Sequence, residues 1–162
     1  MHKFLMNSII FALGGCAYGL IEIFWRGYTH LSMIFAGGFC FLMIYLIYSR
    51  FPNLSILLKA LIGSAVITST EFFLGLILNY KLHLDIWDYS ELRFNLFGQI
   101  SLLYSLLWAV LSALISPICT AINKHSAKLT IQHNTIRETK PDSQRYIRTT
   151  SPHYATALGK TS

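Results

Sequence analysis

Four long apolar stretches dominate the sequence and limit what it can fold into. They cover residues 4–25, 31–48, 54–78 and 96–122. A helix crosses the ~30 Å hydrocarbon core of a bilayer in about 20 residues, and each stretch is long enough, although the second is short. Lipid offers the backbone no hydrogen bonds, so a spanning segment must be helical or belong to a closed barrel, and these stretches lack the alternation of barrel strands. We therefore predict an all-α membrane protein, with a four-helix transmembrane bundle in residues 1–122.

The low content of charged residues supports the same class. Only 12% of the residues are charged, against roughly 25% in soluble domains. The three cysteines, Cys16, Cys40 and Cys119, each lie inside an apolar stretch, and we interpret them as small hydrophobic residues rather than disulfide partners. The first stretch is longer than the ~7–15 apolar residues of a signal peptide, so we expect it to remain as a helix.

The distribution of lysine and arginine predicts the orientation in the membrane. Of the 13 such residues, all but Arg26, Lys81 and Arg93 fall on the side that would hold both chain termini. Cytoplasmic loops are enriched in these residues, so we expect the N-terminus and the C-terminus to be cytoplasmic. This orientation explains the net charge of +6. We do not expect nucleic acid as a partner, because the sequence shows no recognisable nucleic-acid-binding fold.

Residues 123–162 form a polar, basic tail. The tail is rich in serine, threonine, lysine and arginine and contains few large apolar residues. Such a segment cannot bury enough apolar surface to offset the entropy lost on ordering, so we expect it to be mostly disordered. Loose contact with anionic lipid is expected to contribute up to about 1 kcal/mol per cation.

Two carboxylates lie within the predicted helices, where a central charge costs ~2.5–3.5 kcal/mol. Arg26 follows Glu22 by four residues, so the two share one helical face, and either a structural pair or a ligand-contacting pair fits this spacing. Glu71 lies deeper and has no cation at that spacing. Its partner must come from another element, and Arg26, His30 and Arg93 are the candidates. An unpaired carboxylate at depth tends to take up a proton or a cation, which favours a functional role for Glu71.

The connector of residues 79–95 mixes aromatic and charged residues. Its rings suit an aromatic belt at the membrane interface. Alternatively, the connector folds back as a re-entrant segment, and its polar groups line a wet cavity at the outer mouth of the bundle. The second interpretation predicts one ligand-binding or cavity site at the outer face, with these members: Glu22, Arg26, His30, Glu71, Asn79, Trp87, Asp88, Tyr89, Asn95 and Gln99.

The sequence contains closely spaced glycines and lacks the common ATPase and metal-binding motifs. Gly15 and Gly19 lie four residues apart, and Gly37 and Gly38 are adjacent, which predicts close helix packing within the bundle or between copies rather than catalysis. The sequence contains no phosphate-binding Gly-Lys-Ser/Thr loop, no His-Glu-x-x-His and no cysteine pair at zinc spacing. We therefore expect no ATPase activity, no catalytic residues, no metal site and no cofactor in this chain.

Two blocks of the sequence are similar to a known family. The first comprises residues 18–33, Gly37-Gly38 and Glu71-Phe72; the second joins Trp87-Asp88-Tyr89-Ser90 to Gly98-Gln99-Ile100. They resemble the type IV ABC-transporter permease family of small bacterial integral membrane proteins over residues 10–120. The resemblance implies a bacterial cytoplasmic-membrane protein and a permease role. Four helices are few for a complete translocation path, so it also implies assembly with itself or with a separate ATPase.

Three functions remain open from the sequence. The first is a permease subunit or transport accessory protein with a polar cavity at its outer face. The second is a structural or regulatory membrane protein whose polar groups lock the helices together. The third is an intramembrane enzyme that acts on lipid or cell-wall precursors, with Glu71 or Asp88 as general base.

Overall fold

The structure, a computed structural model, describes the backbone of residues 2–139 and the side chains of residues 4–128, 131 and 132. Within these residues, four helices are long and apolar enough to cross a membrane. The predicted fold class is therefore confirmed. Most of the large apolar side chains on these helices point outward, which suits lipid as the surrounding solvent.

The first three helices follow the predicted stretches closely. Helix α1 spans His2–Arg26, α2 spans Leu31–Arg50 and α3 spans Ile56–Gly75. Gly27, with φ of +80°, ends α1, as glycine commonly does in this left-handed position. A π-helical turn over Leu76–Lys81 then continues α3.

The fourth helix begins at Leu102 rather than at residue 96, and α4 spans Leu102–Thr139. The preceding residues form a short antiparallel hairpin of β1 (Asn95–Leu96) and β2 (Ile100–Ser101). Gly98 turns this hairpin at φ of +67°, and its amide donates to Asn95 Oδ1 over 3.1 Å. Apolar content alone does not reveal such a turn, which explains the difference.

Part of the predicted tail lies within the described residues. Residues 123–139 are helical, as the C-terminal part of α4. This segment contains neither glycine nor proline, and Pro141 follows two residues after the helix ends. Residues 140–162 lie outside the described residues. By its internal contacts the chain divides into two units, Met1–Asn123 and Lys124–Ser162, and the first holds the site described below.

Small residues bring the helices of the first unit together. Gly15 of α1 lies so close to α2 that an added Cβ would stand 2.6 Å from the Ile34 carbonyl oxygen. Between α3 and α4, the Ser64 hydroxyl donates to the Ser105 carbonyl over 2.6 Å, and Thr68 donates to the Ser105 hydroxyl over 3.1 Å. Close approach and interhelical hydrogen bonds are the usual means of association in lipid.

Candidate functional site

A partly open cavity of about 420 Å³ lies between the helices of the bundle. Residues from all four helices line it, and most of them are aliphatic. Ile115, Ile118 and Ile122 of α4 belong to its wall, as do Tyr18 of α1 and Glu71 of α3. Among the described lining residues, Glu71 is the one carboxylate. The cavity therefore offers an apolar interior with one strongly polar group.

Glu71 is bound by a tryptophan on the facing helix. Glu71 is 6% exposed, and the Trp108 indole nitrogen donates to its Oε2 over 2.8 Å. This is the one hydrogen bond that the described residues make to the Glu71 side chain. A neutral N–H group stabilises a carboxylate less than a cation does, and the described residues form no ion pair with Glu71.

Aromatic rings surround the same end of the cavity. The rings of Tyr18 and Trp108 lie 6.1 Å apart between centroids, and Tyr104 lies 6.2 Å from Trp108. Tyr89 of the connector stacks on Tyr104 at 4.4 Å. Burial raises the pKa of the Tyr89 hydroxyl, and the nearby charge of Glu71 raises it further. Aromatic rings from α1, α4 and the connector therefore lie at the end of the cavity that holds Glu71.

Glu22 and Arg26 form a separate polar cluster at the end of α1. Arg26 donates to Glu22 Oε1 over 3.2 Å, and the Thr29 hydroxyl donates to Glu22 Oε2 over 2.6 Å. The Arg26 guanidinium also donates to the Tyr28 hydroxyl over 3.0 Å and to the Ile86 carbonyl oxygen. Arg26 thus joins α1 to the connector, and both Glu22 oxygens are satisfied locally.

Asn79 organises the connector from the π-helical turn. Its amide nitrogen donates to the Trp87 carbonyl oxygen and to Gln99 Oε1, each over 2.9 Å, and its oxygen accepts from the Ile86 amide over 2.8 Å. The Trp87 indole nitrogen donates to the Gln99 carbonyl oxygen over 3.0 Å. Asn79, Trp87 and Gln99 are all buried. This network folds the connector back onto the bundle, where Trp87 contributes to the cavity wall.

The remaining predicted site residues hold turns at the surface. Asp88 is exposed and accepts from the Ser90 amide and the Ser90 hydroxyl, each over 2.8 Å. Asn95 donates to the Leu92 carbonyl oxygen over 2.7 Å. His30 caps α2 by accepting from the Ser32 amide over 3.3 Å. These three side chains shape the connector and the helix start.

Comparison with known proteins gives one match. A family model described as "Putative ABC-transporter type IV" covers residues 4–136 of the chain. The chain belongs to this family. No curated protein and no solved structure matches significantly. Family membership and the four apolar helices together make it a multi-pass, transport-related membrane protein.

In this member of the type IV family, the predicted site residues divide into separate groups. Glu71 and Trp87 line the cavity, whereas Glu22 with Arg26, Asn79 with Gln99, and the surface residues described above form other clusters. The cavity wall is mainly apolar, so it differs in character from the polar cavity that we predicted. The partner expected for Glu71 was also wrong: it is Trp108 of α4, because the candidate Arg26 is engaged by Glu22, Tyr28 and Ile86.

Two residues of the cavity wall do not belong to the site predicted from the sequence. Tyr18 and Trp108 both line the cavity beside Glu71. A usable signal was present, because each residue places a polar donor within an apolar stretch, and such a donor needs a partner in lipid. Sequence spacing alone could not assign those partners, since the helices that meet are distant in the chain.

Proposed function

We propose that the chain is a permease subunit or transport accessory protein whose internal cavity receives the transported molecule. The observation that carries this proposal is Glu71, a buried carboxyl group on the wall of an apolar cavity with an indole N–H as its partner. A charged residue deep in a transmembrane bundle is costly, at ~2.5–3.5 kcal/mol near the bilayer centre, and commonly marks a substrate or ion pathway.

The connector supports this proposal as the cover of the cavity. Its buried residue Trp87 belongs to the cavity wall and is held by Asn79 and Gln99. Arg26 anchors the connector from α1 through the Ile86 carbonyl oxygen. A ligand that passed this end of the bundle would have to displace Trp87, so these hydrogen bonds would control access.

The energy source would be a separate subunit. The sequence contains no phosphate-binding loop, so hydrolysis of ATP requires another chain. We propose that the protein resides in the bacterial cytoplasmic membrane with both termini in the cytoplasm, where it meets an ATPase subunit or a second copy of itself. The excess of lysine and arginine on that side supports this orientation.

Purification from native membranes tests the proposal. We expect an ATP-hydrolysing subunit to co-purify with the full-length chain, and Glu71→Gln to change the ATPase rate of the complex by about tenfold. Glu91→Gln is the matched control, because Glu91 is an exposed carboxylate in the connector and should leave that rate unchanged. Purification without any ATPase, combined with an unaltered growth phenotype of Glu71→Gln cells, would exclude the permease role.

A structural or regulatory role is the second candidate. It is favoured by Glu22 and Asn79, whose side chains are fully engaged within the protein. In that case Glu71→Gln would lower the abundance of the protein in the membrane and leave the activity per molecule constant. Quantifying the membrane-inserted protein beside the ATPase rate therefore separates the two functions.

A further inference from the structure

The cavity has two chemically different ends. Glu71, Tyr18, Trp87 and Trp108 line one part of it, and the isoleucines of α4 line the rest as far as Ile122. Trp108 and Ile122 are separated by about 21 Å along the helix axis, at ~1.5 Å per residue. The cavity volume of about 420 Å³ lies within the ~300–1,000 Å³ usual for small-molecule sites. A ligand that fills it must therefore be polar at one end and apolar along its length.

The polar end has the composition of a cation site. A carboxylate attracts a positive charge directly, and the faces of tryptophan and tyrosine attract cations through their ring quadrupoles. Arg26 cannot serve as the counter-ion of Glu71, because Glu22, Tyr28 and the Ile86 carbonyl oxygen engage its guanidinium. The described residues therefore supply no cation to Glu71, and a positively charged ligand would complement its ionised form.

A groove on the outside of the bundle shares part of its wall with the cavity. A groove of about 1020 Å³ runs between α2 and α3. Ala36, Thr70 and Leu74 line both the groove and the cavity. Thr70 is the neighbour of Glu71 in α3, so the wall that the two spaces share lies beside the carboxyl group. The groove is otherwise lined by apolar side chains such as Phe35, and it lies on a surface that faces lipid in a membrane.

From these observations we infer that the cavity binds a single-chain amphiphile with an ammonium head, which enters sideways from the bilayer between α2 and α3. The head group pairs with Glu71 among the rings of Tyr18, Trp87 and Trp108, and the alkyl chain lies along the isoleucines of α4. This inference rests on the proposed function in one respect, since it names the class of molecule that the permease would handle. The binding itself requires no partner subunit.

Tryptophan fluorescence of the purified full-length protein in an uncharged detergent tests the inference. The chain has three tryptophans; Trp25 is 76% exposed, whereas Trp87 and Trp108 line the cavity. In a Trp25→Phe background, quenching by a bromoalkyl-trimethylammonium probe reports occupation of the cavity. A bromoalkanol of equal chain length is the matched uncharged probe.

We expect the ammonium probe to bind about tenfold more tightly than the alcohol. Glu71→Gln should abolish this preference and leave the affinity for the alcohol within about twofold, whereas the control Glu91→Gln should preserve it. If Glu71→Gln does not fold, the preference of the unaltered site, measured also against a bromoalkanoate of equal length, decides the question. Equal affinity for the ammonium and the alcohol probes would overturn the inference.

A separate substitution tests the route by which the ligand enters the cavity. Ala36→Phe places a ring in the wall that the groove and the cavity share, so it should slow the onset of quenching by about tenfold. Ala65→Phe, at a groove position that does not line the cavity, should leave the onset unchanged. An unchanged onset rate in Ala36→Phe would exclude the lateral route. Failure to recover an ATPase subunit would remove the permease role and leave the binding result standing, so the two proposals can fail separately.

Discussion

Glu71 on α3 and Trp108 on α4 are joined by a hydrogen bond of 2.8 Å between the indole nitrogen and Oε2. The two residues are 37 positions apart in the sequence, and the bond crosses the space between two transmembrane helices. It ties the carboxyl group that characterises the cavity to a ring that also lines the cavity. The position of this carboxyl group therefore depends on how α3 and α4 pack.

We expect Trp108→Phe to lower the free energy of unfolding by about 1–3 kcal/mol, because it leaves the buried carboxyl group without its donor. The measurement is unfolding in mixed micelles of the detergent and sodium dodecyl sulfate. Trp25→Phe is the control, since the Trp25 side chain is exposed and its loss should change the free energy by no more than ~0.5 kcal/mol. Equal effects of the two substitutions would contradict the assigned contact.

Asn79→Ala should lower the free energy of unfolding more than an average polar substitution does. Asn79 is 7% exposed and takes part in three hydrogen bonds, two to the connector and one to Gln99. Their loss leaves buried partners unsatisfied, which should lower the free energy of unfolding by a total of about 2–4 kcal/mol. The same unfolding assay reports the loss, and limited proteolysis of residues 79–95 should become faster. Asn53→Ala, in an exposed turn, serves as the reference. A proteolysis rate unchanged by Asn79→Ala would show that the network does not hold the connector.

Gly15→Ala should separate α1 from α2. The added Cβ would stand 2.6 Å from a backbone oxygen, which cannot move without shifting the helix, so we expect a loss of about 1–3 kcal/mol. Gly19→Ala is the milder control, because its Cβ would meet Cγ1 of the Ile34 side chain at 3.2 Å, and a side chain can shift more easily than a backbone oxygen. Thermal denaturation followed by circular dichroism measures both variants. The assigned helix packing would be wrong if Gly19→Ala proved the more damaging.

Asp88 should titrate below the ordinary aspartate pKa of about 3.9. The Ser90 amide and hydroxyl donate to its ionised carboxylate, and these hydrogen bonds lower the pKa. Because the pKa is lower in the folded protein, these hydrogen bonds stabilise the turn fully at a pH above the ordinary pKa of aspartate. The stabilisation is lost as the pH falls through the lower pKa of the folded state. Carbon-13 NMR of the carboxyl group measures the pKa. Ser90→Ala should raise it towards the ordinary value, and no change in that variant would contradict the assigned contact.

Local features of the sequence predicted the fold, whereas they predicted the candidate site only in part. The four apolar stretches located α1 and α2 almost to the residue, and the spacing of Glu22 and Arg26 predicted their ion pair. Residues such as Asn95 could not be placed, because their side chains hold a turn whose hydrogen bonds leave no periodic pattern. Tyr18 and Trp108 each place a polar donor within an apolar stretch, but the sequence does not show whether such a ring faces lipid or a cavity, so neither was assigned to the site.

The sequence by itself determined the solvent of this protein and its four long apolar helices. Chain length, apolar content and the obligatory hydrogen bonds of the backbone are local properties, and together they require helices in a bilayer. Only the tertiary structure decided which group meets Glu71 and where a cavity lies beside it. Those outcomes depend on the rotation of each helix and on close contacts between residues far apart in the chain, and no local pattern encodes them.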